Sequence, residues 1–118
     1  MNVEEFYSFC LSKPGVTEEF PFDKETLVFK VEGKIFVLTS MNAWESGAPQ
    51  MNVKCDPLTA IELREKHADQ IFPGYHMNKK HWNTVYINSG LSDKRIFHFI
   101  NHSYDLVVSK LPKSKRPS

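Results

Sequence analysis

Cysteine and glycine are scarce in this chain of 118 residues, and long apolar runs are missing. The two cysteines, Cys10 and Cys55, have no metal-type spacing. A disulfide-dense scaffold is thereby excluded. The simplest reading is a pair of reduced thiols in a cytoplasmic protein, with a single buried disulfide as the alternative. Five glycines leave little material for a phosphate-cradling loop. No P-loop, dinucleotide fingerprint or G-x-S-x-G elbow occurs. No apolar stretch approaches the roughly 18 residues of a membrane span. The opening "MNVEEFYSFC" is acidic and amphipathic, the wrong pattern for a signal peptide. A strong net charge is lacking too, since the formal total is +1.

What is present suffices for one core. Hydrophobic residues make up 41% of the chain, and this length is typical of one domain. We read residues 1–112 as that domain and 113–118 as a basic C-terminal tail. The charge is unevenly spread. Residues 1–69 hold 7 Lys+Arg against 12 Asp+Glu, whereas residues 70–118 hold 8 against 2. Four of the five histidines also fall in the second part. Such asymmetry points to an anionic partner, although a solubilising tail explains part of it.

Periodicity supplies the layout. Val3, Phe6, Tyr7 and Cys10 form one stripe of a first helix, with Asn2 as its cap and Pro14–Gly15 as its stop. After a loop, "TLVFKV" and "KIFVLT" read as strands joined by a tight turn at Gly33. "MNVKC" alternates, with Met51, Val53 and Cys55 inward and Asn52 and Lys54 outward. "SMNAWESGAPQ" before it reads as a loop. Asp56 and Pro57 open a second helix. "PGYHM" and "WNTVYI" read as strands around the turn "NKKH", with Val85 and Ile87 on one face and Trp82, Thr84 and Tyr86 on the other. Ser92 caps a last helix whose buried stripe is Ile96, Ile100, Tyr104, Val107 and Leu111. The expected fold is α+β. It is a two-layer sandwich, a mainly antiparallel sheet with helices on one face, in the order α-β-β-β-α-β-β-α.

Catalytic chemistry finds little support. Both cysteines lie on apolar faces without a basic neighbour to lower the thiol pKa. Glu4–Glu5 and Glu18–Glu19 are sequence neighbours, which diverge by about 100° on a helix. His98 and His102 are four apart on the last helix, but they share their face with Asp105 and read as a solvated polar surface. His76 and His81 flank a turn with no third ligand in view. No enzyme, metal site or cofactor is expected. Binding is better supported. Lys79 and Lys80 occupy a hairpin tip beside His76, His81 and Trp82, and Lys30 and Lys34 flank the tip of the other hairpin. Basic hairpins contact phosphates, while aromatics reach into grooves or stack on bases. Trp82 also fits a packing role, and the lysines also fit a solvated tip.

The stretch "FPGYHMNKKHWNTV", followed by "LSDKRIFHFINHSYDLVVSKLPK", resembles the MmcQ/YjbR-like family. "PGVTEEFPFDKETLVFKVEGKIFVL" and "MNVKCDPLTAIELRE" extend the resemblance over nearly the whole chain, and "K-x-H-W-N" is its most specific piece. The resemblance implies a small α+β domain with a CyaY-like fold, also likened to secretion chaperones. It further implies DNA binding through a double-wing arrangement, with no catalytic residues. The frataxin likeness raises iron binding, but the acid-dense ridge this needs is absent. The expected DNA-contacting set is Lys30, Lys34, His76, Lys79, Lys80, His81 and Trp82, on a monomer that does not enter membranes. The alternative is a protein–protein interaction module using a sheet face or edge. An exposed apolar patch would favour that alternative; one continuous positive face spanning both lysine hairpins would favour DNA.

Overall fold

Each helix starts where its side chains can satisfy the free N–H groups. The computed structural model of the protein describes residues 1–74 and 77–117. In it Asn2 and Glu5 form a reciprocal capping box at the start of α1 (Val3–Leu11). Asp56 accepts from the Thr59 N–H at the start of α3 (Pro57–Lys66), with Pro57 in the first turn. Ser92 accepts from the Arg95 N–H at the start of α4 (Asp93–Ser109).

The strands are β1 (Val16–Glu19), β2 (Thr26–Val31), β3 (Lys34–Ser40), β4 (Gln50–Lys54), β5 (Ile71–Pro73) and β6 (Trp82–Tyr86), and a short helix α2 (Met41–Glu45) follows β3. They make one antiparallel sheet in the order β1-β2-β3-β4-β6-β5. The fold is therefore α+β with a mainly antiparallel sheet, as expected. At the β2–β3 turn, Glu32 and Gly33 both have positive φ, 48° and 74°, the geometry whose twist suits a two-residue hairpin.

Three local readings change. β1 and α2 lie in stretches read as loops. β1 is almost wholly exposed, and it forms because its backbone pairs with β2. The strand placed at "PGYHM" is instead Ile71–Pro73, paired with Val85, Thr84 and Asn83. The chain then turns: the Gly74 N–H reaches the Trp82 carbonyl, and the Met77 N–H turns back to Gly74. Tyr75 and His76 lie outside the described residues. Gly74 suits this approach, because a Cβ would sit 3.0 Å from Trp82 Cβ and 3.1 Å from its carbonyl oxygen, a tight contact to which the neighbouring strand would have to yield.

The main core lies between the sheet and the helices. All five predicted stripe residues of α4 are buried, together with Phe99 and Ser103. Phe6 and Cys10 of α1 pack beside Phe29, Val31, Met51, Val53 and Val85. Tyr104 stands edge-on to Phe36 and donates its hydroxyl to the Pro14 carbonyl at 2.5 Å. Both cysteines are free and buried. Burial pushes both thiols up, that of Cys55 to about 11.

One polar residue joins this core to the sheet. A register shift between Phe29 and Lys30 leaves Phe36 without a partner residue on β2. Ser103, fully buried, donates to the Phe36 carbonyl at 2.6 Å and accepts from the Lys54 N–H at 2.8 Å. The β3–β4 pairing ends one residue earlier, at Val37 and Val53. Ser103 thus ties the two strands together where their own ladder stops. The wet face assigned to α4 also needs correction. His98 and Asp105 are exposed, but His102 is half-buried, and its Nε2 accepts from the Asp56 N–H at 3.4 Å. The start of α3 packs there, which helical periodicity alone does not reveal.

Two predictions follow from the packing. Ser103→Ala leaves a buried N–H and C=O unpaired and is expected to cost about 2 kcal/mol or more. Ile100→Asp should abolish a cooperative melt by burying an unpaired charge, and His98→Ala should stay within about 0.5 kcal/mol. Urea unfolding followed by circular dichroism measures all three. The second concerns His67, whose Nε2 lies 3.3 Å from Arg95 Nη2. Burial first, then the charges of Arg95 and Lys66, hold its pKa below the ordinary value. The unfolded chain therefore binds the proton more readily, and stability falls as pH drops below about 6.5. His67→Asn should flatten that acid limb in melts run across the range.

Candidate nucleic-acid interface

The two hairpins end on the same side of the sheet. Lys34 opens β3, Lys54 closes β4 opposite Trp82, and Gly74 meets Trp82 beside them. With the β3–β4 ladder stopped there, a cavity of about 570 Å³ opens between the strands and the end of α4. Ile35, Met77, Trp82, Val107 and Leu111 supply its apolar lining. Three lysines from three separate elements share that lining: Lys34, Lys54 and Lys110. Among the described residues, none of the three is within ion-pair distance of a carboxylate. Three like charges around a low-dielectric wall raise the local potential and attract an anion.

The residues expected from the sequence divide. Lys34 and Trp82 meet in this cleft. Trp82 is 9% exposed and packs with Val28 and Leu38, so it forms floor and not rim. Lys79 and Lys80 are exposed in the turn just beyond Met77, where the Asn78 side chain accepts from the Lys80 N–H. His81 is half-buried, and its carbonyl accepts from the Cys55 N–H at 2.8 Å. Lys30 stands apart: it is largely covered and ion-paired with Glu19. His76 lies outside the described residues. Lys54 and Lys110 were missed. Lys54 read only as the wet side of a strand, and Lys110 drew no reading of its own; the signal available was their charge alone.

The "K-x-H-W-N" element also acquires a structural account. Trp82 plugs one face of the sheet, and Asn83 is buried on the other, 3.5 Å from the Ala60 carbonyl of α3. The His81 carbonyl carries the pairing on to Cys55.

A second groove, of about 420 Å³, lies between α1 and β1. Val3, Tyr7, Phe20, Leu27 and Met41 line it, with Glu4, Glu18 and Glu19 at its margin. The Tyr7 hydroxyl hydrogen-bonds Glu18, which holds the phenol above its ordinary pKa. Its charge is opposite to that of the lysine cleft, so phosphate is disfavoured there. Among the described residues no group of three or more His, Cys, Asp or Glu could hold a metal ion. None of their helices is long and apolar enough to cross a membrane.

Comparison with known proteins agrees with this architecture. The YjbR family model matches residues 11–106. The chain is 33% identical over 116 residues to the uncharacterized protein YjbR of Escherichia coli K12, covering 98% of this chain and 95% of that protein. It is 43% identical over 104 residues to the uncharacterized protein YbdF of Escherichia coli O157:H7, covering 88% and 82%. The crystal structure of Deinococcus radiodurans protein DR2400, a DUF419 domain, superposes with a TM-score of 0.89 at 37% identity, covering 98% of this chain and 85% of that one. A crystal structure of a Pseudomonas syringae protein gives a TM-score of 0.75 at 30% identity, covering 90% and 98%. Matched along nearly its whole length in sequence and in fold, the chain belongs to the YjbR family.

Proposed function

We propose that this protein is a non-enzymatic DNA-binding domain whose phosphate-contacting surface is the lysine-rimmed cleft and the hairpin tips beside it. The observation that carries the reading is the convergence of Lys34, Lys54 and Lys110 on one cavity, with no carboxylate among the described residues paired to them. Lys79 and Lys80, exposed in the adjoining turn, extend the positive surface. Lys30 contributes less than the sequence suggested, because Glu19 already neutralises it. The common end of the two hairpins supports a double-wing grip, in which both tips approach one ligand.

One specific observation favours a second reading, a protein contact at the acid-margined groove. Phe20 there is 47% exposed, and β1 is an edge strand. Phe20→Asp should then abolish binding to an arrayed set of extended peptides that the wild type recognises, without changing DNA affinity.

The DNA reading is tested by a salt titration. Lys34→Ala with Lys54→Ala should weaken duplex binding about equally for all sequences. Each lost contact should lower the salt slope by roughly 0.9. Lys79→Ala with Lys80→Ala should act in the same direction while the melting temperature holds, since the tip is exposed. Absence of any binding at about 50 mM salt, where phosphate contacts are strongest, defeats the reading.

A further inference from the structure

All the helices pack on one side of the sheet, and the opposite side has a second, smaller apolar cluster of its own. Val28, Leu38 and Trp82 form it, with Ile35 and Met77 packed against them. Met77 is a divider. On one side of it lies the lysine cleft. On the other lies a cavity of about 540 Å³ lined by Phe22, Asp23, Thr26, Leu38, Ser40, Gln50, Asn52 and Met77. The two cavities therefore adjoin across one side chain, and together they span β4 from Lys54 to Gln50. At about 3.3 Å per residue that is roughly 13 Å.

The chemistry changes along this track. The first cavity offers cations around an apolar floor. The second offers hydroxyls, two side-chain amides and a phenyl ring. Phe22 is 66% exposed, an aromatic ring left in water at the edge of a cavity. Asn52 is held in place, because its Oδ1 accepts from Thr84 Oγ1 at 2.6 Å. Asp23 accepts from the Glu25 and Thr26 N–H groups, which hold its pKa below the ordinary value, so this cavity keeps a negative charge. Phosphate is thus favoured at the lysine end and disfavoured at the Phe22 end. Groups with a flat apolar face and a polar edge suit the Phe22 end.

We propose that the open sheet face, from the Lys34–Lys54–Lys110 cleft across Met77 to Phe22, Gln50 and Asn52, is a binding track for single-stranded nucleic acid with unpaired bases. The inference rests on the nucleic-acid reading above and deepens it. A duplex keeps its bases stacked inside and presents phosphates on a convex surface. It cannot fill two concave cavities or stack on Phe22. An unpaired strand can do both: its phosphates meet the lysines, one base covers the ring of Phe22, and base edges meet the Gln50 and Asn52 amides. Aromatic stacking and a basic groove are the pairing by which single strands are held with little sequence preference.

The test is fluorescence anisotropy with labelled oligo(dT) and a duplex of equal length, at about 50 mM and about 200 mM salt. Oligo(dT) is expected to bind roughly tenfold more tightly than duplex. Phe22→Ala should lose roughly tenfold on oligo(dT) and nothing on duplex. Phe22 is exposed, so the fold should be unchanged, as circular dichroism would check. Lys54→Gln with Lys110→Gln should lower the single-strand salt slope by roughly 0.7 per lysine. Duplex binding as tight as, or tighter than, oligo(dT), or a Phe22→Ala variant indistinguishable from wild type, overturns the single-strand track while leaving DNA binding at the lysine cleft in place. Absence of binding to both probes removes the nucleic-acid reading itself.

Discussion

The hydroxyl of Ser103 is the contact on which the rest of the architecture turns. A strand pair that stops pairing inside a protein leaves N–H and C=O groups that must find partners. Here the β3–β4 ladder stops at Val37 and Val53, beside the register shift that leaves Phe36 without a partner on β2, and Ser103 receives both orphans, Phe36 C=O and Lys54 N–H. A single buried side chain therefore allows the strands to part without an unsatisfied group. It also fixes the register of α4 along the sheet, so that Val107, Lys110 and Leu111 arrive beside the gap. The lysine cleft is the space that results.

The second constraint is the one-sided placement of helices. One sheet face is sealed by α1, α3 and α4, while on the other, among the described residues, Met77 packs over Val28, Leu38 and Trp82 at the centre. Gly74 eases that local cover, since a Cβ there would press tightly on Trp82. The turn carrying Lys79 and Lys80 is thus anchored by apolar packing even though its tip is in water. The open face to either side offers recessed surfaces, cationic at one end and polar with an exposed phenyl ring at the other.

Carboxylates and lysines gather in different places, although two of the three cleft lysines, Lys34 and Lys54, come from the acid-rich first part of the chain. Glu4, Glu18 and Glu19 gather at the α1–β1 groove, and the Glu19–Lys30 pair removes the first hairpin's inner lysine from the cationic set. At the other end, Arg116 donates to the Ser109 and Leu111 carbonyls, which turns the tail back onto the end of α4. Recessed surfaces of opposite sign therefore lie at separate places among the described residues.

Elements whose code is local were legible in the sequence. The α1 and α4 stripes, the caps at Asn2, Asp56 and Ser92, the turn at Gly33 and the opposed faces of Trp82 and Val85 all follow from spacing within a few residues. The hairpin lysines Lys34, Lys79 and Lys80 were legible as an exposed basic surface for the same reason. Tertiary structure decided the rest. β1 has no apolar alternation of its own and exists through its partner β2. The strand before Trp82 sits at Ile71–Pro73 because its register is set across the sheet by pairing with Val85, Thr84 and Asn83. Lys54 and Lys110 are distant in sequence and each is ordinary in its own element. They share a cleft because the β3–β4 ladder stops beside them and one helical serine bridges the gap. No local pattern encodes that meeting, since it depends on how a helix and two strands are set against one another.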